Sequence, residues 1–228
     1  MFFWIENGWM WFCIASGAAL LIALFLQRFD AALATKVGAM RSFTVIDLEF
    51  PSNPKDIPNT INGIFTLPEK QQQRVVQALK RSLYLDFLFM PAIYGAIFLL
   101  CMLIADKCGP SSVGRIFFSL FAWLQGVAWL CDIIENLLLL PRVKQGVEPM
   151  TLGLHKIYVR VVWTKWAIAL IGFVTASMLA LYFWVKGDYD RASLPYLIVF
   201  VGELAVFLAI GFFWSKKKDQ EYTNSKQQ

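Results

Sequence analysis

Asp132, Glu135 and Asn136 stand inside WLCDIIENLLLL (129–140), a stretch that is otherwise Trp, Cys, Ile and Leu. Asp86 lies in LYLDFLFMPAIY (83–94) and Lys165 in TKWAIALIG (164–172), and Gln125 and Glu203 also interrupt apolar runs. Carboxylates, an amide and one amine in such surroundings suit three kinds of chemistry: holding a small ligand or ion, carrying a proton, or locking helices by ion pairs. Each ionised side chain at mid-membrane costs roughly 2.5–3.5 kcal/mol on insertion scales, so residues of this type are not placed there idly. Asp86, Asp132 and Glu135 outnumber Lys165 three to one. A simple ion pair needs one acid per base. The surplus calls for compensation by the interfacial Arg160, by a bound cation, or by a proton held on one acid.

The elements that position these residues are membrane helices. The chain has 228 residues, 58% of them hydrophobic and 16% charged, whereas a soluble domain carries about 25% charged residues. Lipid solvates more apolar surface than a core can bury. Five stretches reach the ~20 apolar residues that a spanning helix requires: about 8–27, 83–104, 116–140, 159–185 and 194–214. Trp9, Trp11, Tyr182, Trp184, Tyr196 and Trp214 fall near their ends, as interfacial aromatics do. The expected fold is therefore all-α, one membrane bundle of five transmembrane helices. No Lys or Arg precedes the first run, so it is read as a retained helix rather than a removed signal.

Charge gives an orientation. Of 21 Lys and Arg residues, 16 fall in segments 28–82, 141–160 and the tail 215–228. Four fall in the joints 105–115 and 186–193, and Lys165 lies within a span. Positive charge marks the cytoplasmic side, so the N-terminus is expected outside and the C-terminus inside. Lys216, Lys217 and Lys218 then face anionic headgroups. The net charge of +5 thus needs no nucleic acid to explain it. With this orientation Asp132, Glu135 and Asn136 lie roughly 6–12 Å from the cytoplasmic end of their helix. Asp86 and Lys165 lie near the cytoplasmic ends of theirs. Glu203 falls near the middle of the fifth span.

Helical phase sharpens the picture. At 100° per residue Asp132, Glu135 and Asn136 share one arc, with Gln125 on the same side. Lys165 shares a face with Ala169, Gly172 and Ala176, small residues that let another helix approach. The pattern predicts a polar cluster of Asp132, Glu135 and Asn136 facing Lys165, closed by Asp86.

The cytoplasmic segment 28–82 reads as short elements, too lightly apolar for an independent domain. FTVIDLEF (43–50) has strand composition. Asn53-Pro54 marks a helix start and Asn62-Gly63 a stop. Thr66 with Glu69 forms a capping-box pattern. The helix it opens carries Val75, Val76, Leu79 and Leu83 on one side, expected at the membrane surface, and runs into the second span. Cys13, Cys101, Cys108 and Cys131 read as small core residues, with Cys101 and Cys108 the one pair close enough in sequence to test for a bond. A single His155, in a cytoplasmic joint, reads as a surface residue.

No Walker A, GxSxG, HExxH or GxGxxG pattern occurs, and one His supports neither a usual zinc site nor a catalytic triad. No cofactor is expected. Oxygen ligands for a hard cation are present in Asp86, Asp132, Glu135 and Asn136, without a diagnostic spacing.

The motifs FTVIDLEF, LYLDFLFMPAIY, CDIIENLLLL and TKWAIALIG together resemble an uncharacterised family of small bacterial multi-pass integral membrane proteins. The likeness covers about residues 43–172 and maps onto Asp47, Glu49, Asp86, Asp132, Glu135, Asn136 and Lys165. It implies a bacterial inner membrane and no activity. Three functions follow from the residues. The first is binding or moving a small ligand or ion at the cluster. The second is an accessory or assembly subunit whose cluster is a structural salt-bridge network. The third is an intramembrane lipid-modifying enzyme using carboxylates as acid and base. Expected partners are membrane lipids and either another protein or further copies of the chain.

Overall fold

The structure, a computed structural model, describes residues 7–188 and 193–225, with side chains of the last helix described to Phe212. The expected interfacial Trp214, the tail lysines and most of the joint after Lys186 therefore lie outside the described side chains. Among the described residues the protein is almost wholly helical, and five helices are long and apolar enough to cross a membrane.

These five are α1 (Gly8–Asp30), α4 (Glu69–Lys107), α5 (Val113–Leu139), α6 (Leu152–Lys186) and α7 (Leu194–Ser225). Between α1 and α4 come β1 (Ala34–Val37), β2 (Ala39–Ser42), α2 (Val45–Glu49) and α3 (Asp56–Ile64). Helix α4 is the hub, packing on α1, α5 and α6, while α7 leans on α1. The outer face of α7 exposes Ile198, Val201, Leu204 and Leu208, as a lipid-facing helix would. Trp9 and Trp184 meet at 5.2 Å and Phe12 and Phe200 at 5.0 Å. Aromatic residues thus tie α1 to both α6 and α7.

The membrane helices start and stop for local reasons. Ser112 and Thr151 cap α5 and α6 by accepting from the backbone N–H groups of Arg115 and Leu154. Gly187, at φ +75°, closes α6 in the left-handed conformation that glycine adopts without strain. Pro141 sits in the single 3₁₀ turn Leu140–Arg142 that follows α5, and Arg142 returns a hydrogen bond to the Leu138 carbonyl.

The segment between α1 and α4 is the largest departure from expectation. FTVIDLEF is not a strand. Thr44 and Asp47 form a capping box, with the Thr44 N–H donating to Asp47 Oδ2 at 2.7 Å, and α2 follows. The local bond outweighs the β-branched composition. The strands lie just upstream, a hairpin pairing Ala34 with Ser42 and Val37 with Ala39, turned by Gly38 at φ +76°. Helix α3 begins and ends within two residues of the predicted start and stop. Thr66 does not cap α4. Pro68 occupies the N-cap position, and the Thr66 hydroxyl donates instead to the Gly63 carbonyl at 2.9 Å, with the Lys36 carbonyl farther off at 3.3 Å. A Cβ on Gly63 would stand 2.3 Å from Thr35 Oγ1, so α3 packs on β1 through a position only glycine fits.

As predicted, α4 runs without a break from this region into the membrane span. Its Val75, Leu79 and Leu83 are buried, Val76 partly so, but by protein rather than by a membrane surface. They join Leu33, Phe43, Leu48, Ile57, Ile61 and Ile64 in one core with Val143, Val147, Met150, Tyr158 and Val162. The segment is a cap seated on one end of the bundle. Asn62 stitches it to the α5–α6 connection, exchanging hydrogen bonds with both backbone groups of Val147 at 2.9 and 3.0 Å.

The four cysteines are free. Cys13 and Cys101 are buried and donate to the carbonyls of Tyr196 and Gly172. They behave as the small core residues expected, and Cys101 and Cys108 are not bonded.

Candidate buried ion cluster

The polar residues of α5 face α6 under the cap. Lys165 is 5% exposed and its Nζ stands 2.7 Å from Asp132 Oδ1, 2.7 Å from Glu135 Oε2 and 3.3 Å from Glu49 Oε2. An ammonium has three N–H donors, and here three carboxylates surround it. The approach of α5 to α6 rests on the small stripe of α6. Gly172 and Ala176 are buried, and a Cβ on Gly172 would lie 2.8 Å from Gln125 Nε2.

Aromatic donors complete the shell. The Tyr94 hydroxyl donates to Asp132 Oδ2 at 2.9 Å, and Trp166 Nε1 donates to Glu49 Oε2 at 2.9 Å. The Tyr158 hydroxyl donates to the Leu48 carbonyl at 3.0 Å, with Glu135 Oε1 farther off at 3.5 Å. One hydroxyl carries one hydrogen, so the nearer carbonyl takes it. Glu135 Oε2 meets Lys165 at ion-pair distance without a well-angled hydrogen bond. Glu135, 1% exposed, is therefore the least satisfied acid of the set. Asp132 has a well-formed bond on each oxygen.

The other candidates sort by distance from this centre. Asn136 Nδ2 donates to Asp86 Oδ2 at 2.7 Å, so Asp86 joins through the amide, beside the lysine's own shell. Gln125 is buried further along α5 and donates to the carbonyls of Phe121 and Ile168. Glu203 is apart, on α7, where it accepts from the Ser16 hydroxyl at 2.9 Å. Arg160 is exposed and has no place in the shell, so it does not balance the acids. His155 is half-buried rather than on the open surface.

Glu49, Tyr94, Tyr158 and Trp166 were not among the site candidates read from the sequence. Glu49 entered only through the family likeness. Its position is set by the Thr44–Asp47 capping box, a signal present in the sequence but masked by the strand-like composition around it. Phe50 then meets Trp163 edge to face at 5.3 Å and Trp166 at a tilt at 6.1 Å, which seats the end of α2 against α6. Among the described residues, no group of three His, Cys, Asp or Glu is arranged to hold a metal ion.

What the arrangement can do is concentrate acid around one fixed cation. Three carboxyls share one ammonium within a packed helical site, with a fourth, Asp86, one amide away. No family model, curated protein or solved structure matches this chain, so the likeness carried by the motifs of residues 43–172 gains no support from known proteins.

Proposed function

We propose that this chain is a multi-pass protein of a bacterial inner membrane that takes up a proton at the cluster of Glu49, Asp132, Glu135 and Lys165. The cap and C-terminus lie on the cytoplasmic side and the start of α1 lies outside, in keeping with the distribution of Lys and Arg. The observation that carries the reading is the imbalance at Lys165: three carboxylates lie within 3.3 Å of one ammonium. Buried like charges repel strongly in a low-dielectric site, and a proton on one acid relieves that repulsion. Glu135 is the group we assign to receive it, because its oxygens are the least well paired. Asp86, linked by Asn136, extends the acidic set along α4.

The test is proton uptake by the purified protein in lipid nanodiscs. Infrared difference spectra across a pH jump report carboxylic acid formation. Glu135→Gln is expected to remove the carboxyl signal while the helical content stays that of the wild type. Identical spectra in wild type and Glu135→Gln overturn the reading.

A second reading is favoured by the match between the three N–H donors of Lys165 and its three acids. In that reading the chain is an accessory subunit of a membrane complex, and the cluster only clamps the cap, α5 and α6 together. It predicts no carboxylic acid signal across the pH jump in either protein.

A further inference from the structure

The proton site around Lys165 is closed on almost every side. The side chain of Glu135 is 1% exposed, that of Lys165 6% and that of Asp132 7%. A proton bound for Glu135 therefore has to enter through a neighbour. Glu49 and Asp86 stand at the edge of the cluster, and their geometry separates them.

Glu49 is the most exposed member of the shell, at 13%. Both of its contacts in the site fall on Oε2, which lies 3.3 Å from Lys165 Nζ and accepts from Trp166 Nε1 at 2.9 Å. Its Oε1 makes no bond among the described residues, yet it is not one of the buried atoms left without a partner. One oxygen of Glu49 thus faces the fixed cation, and the other is in reach of the surroundings. Its chain neighbour Phe50 and the nearby Asp47 are exposed. Asp86 is also half-buried, but it joins the cluster only through the side-chain amide of Asn136, which donates to Asp86 Oδ2 at 2.7 Å. A carboxamide keeps its own hydrogens near neutral pH and does not pass a proton on.

Glu49 meets no such barrier. Its Oε2 and that of Glu135 touch the same ammonium, at 3.3 and 2.7 Å. Resting on the reading of Glu135 as the acceptor, we infer that Glu49 is the entry port of the cluster, taking a proton from water on Oε1 and delivering it to Glu135 through Lys165. The Glu49 carboxylate first becomes the acid, and rotation of the carboxyl turns its O–H toward Lys165. Lys165 releases one N–H proton to Glu135 Oε2 and receives the proton of Glu49. Glu135 ends as the acid, Glu49 as the carboxylate and Lys165 as the ammonium it was. The charged and titratable groups facing Glu49 are Lys165, Asp132 and Glu135 in the shell, with Tyr158 and Asp86 beyond it. The carboxylates among them draw the proton inward.

The experiment follows the infrared carboxylic acid band that Glu135→Gln abolishes, after a rapid pH jump on the full chain in lipid nanodiscs. The jump ends at a pH that saturates the band. Glu49→Gln keeps an oxygen for Trp166 and is expected to reach the same final height about 100-fold more slowly, the lower end of what a positioned proton-transfer group contributes. Glu49→Ala is expected to be slow as well. Formate, a small acid that replaces the missing carboxyl, is expected to restore its rate and to leave the wild type unchanged. Formamide, of the same shape without a transferable proton, is expected to restore nothing. Asn62→Ala loosens the cap without removing an acid and is expected to be at least as fast as the wild type. A Glu49→Gln rise at the wild-type rate overturns the port and leaves Glu135 as acceptor. So does a slow Glu49→Ala that formate fails to speed, or an Asn62→Ala as slow as Glu49→Gln, since either makes the role of Glu49 structural. A wild type without the band overturns the reading of Glu135 itself, and the port falls with it.

Discussion

The chain sets acids among its long helices in two places and treats them differently. Under the cap, Glu49, Asp132 and Glu135 close on Lys165, with Tyr94 and Trp166 donating to two of the three. On the other side of the bundle, Glu203 of α7 meets the single hydroxyl of Ser16 on α1. That hydroxyl also lies 3.0 Å from the Cys13 carbonyl, so its one hydrogen is shared. The first site holds its charges by pairing and is buried in protein. The second is half-buried, between two helices long and apolar enough to cross a membrane. A site with a fixed cation depends on that cation. A site held, among the described residues, by one neutral donor depends on charge far less.

The largest effect should come from removing the cation. Lys165→Met leaves three acids facing one another with no base, and breaking a buried pair typically costs about 3–5 kcal/mol. Unfolding of the protein in bicelles on titration with sodium dodecyl sulfate measures this. Adding Glu135→Gln to Lys165→Met should recover part of the loss, since it removes surplus charge. The two changes should be non-additive by about 0.5–3 kcal/mol. A Lys165→Met protein as stable as the wild type would erase the distinction between the two sites.

The first site was legible in outline because two simple constraints act on it. Lipid demands helices, and helical phase then fixes which side chains share a face. Asp132, Glu135, Asn136 and Lys165 could therefore be set opposite one another from spacing alone. Asp86 came out at the right depth but one neighbour farther from the lysine, because spacing gives depth and phase but not which oxygen reaches which nitrogen. Glu49 was hidden for a different reason. It reaches the site through the cap, whose fold depends on contacts between residues far apart in the chain. Thr44 and Asp47 carried a capping signal, but the β-branched residues around them suggested a strand. The hairpin 34–42 carries no apolar alternation strong enough to announce itself. Tyr94, Tyr158 and Trp166 looked like ordinary membrane aromatics, and nothing local distinguishes an aromatic that donates inward from one that faces lipid.

Effects of intermediate size should come from the cap, which brings Glu49 to Lys165. Asn62→Ala leaves the N–H and carbonyl of Val147 without their partners, a loss of about 1–3 kcal/mol. Tyr158→Phe strips the Leu48 carbonyl of its donor, with a similar cost where that carbonyl stays buried. Hydrogen–deuterium exchange of residues 43–50 should rise in both variants, while exchange in the middle of α4 stays unchanged. Faster exchange throughout α4 would mean that cap and bundle unfold as one unit. The ion cluster could then no longer be regarded as having a separable lid.

The smallest effect should belong to Glu203→Gln. The amide keeps an oxygen to accept from Ser16, and no cation within the described residues depends on the lost charge. A neutral hydrogen bond contributes about 0.5–1.5 kcal/mol net, and most of it survives the change. The stability shift should stay under about 1 kcal/mol, in the stabilising direction if the charge in the wild type is held against the pull of lipid. Ser16→Ala, which removes the donor, should cost more in the wild type than in the Glu203→Gln background, because hydrogen bonds to charged groups are the stronger ones. The same unfolding titration used for Lys165→Met measures both. If Glu203→Gln costs as much as Lys165→Met, Glu203 has a charged partner as strong as the lysine. The contrast between a site that depends strongly on charge and one that depends on it weakly would then fail.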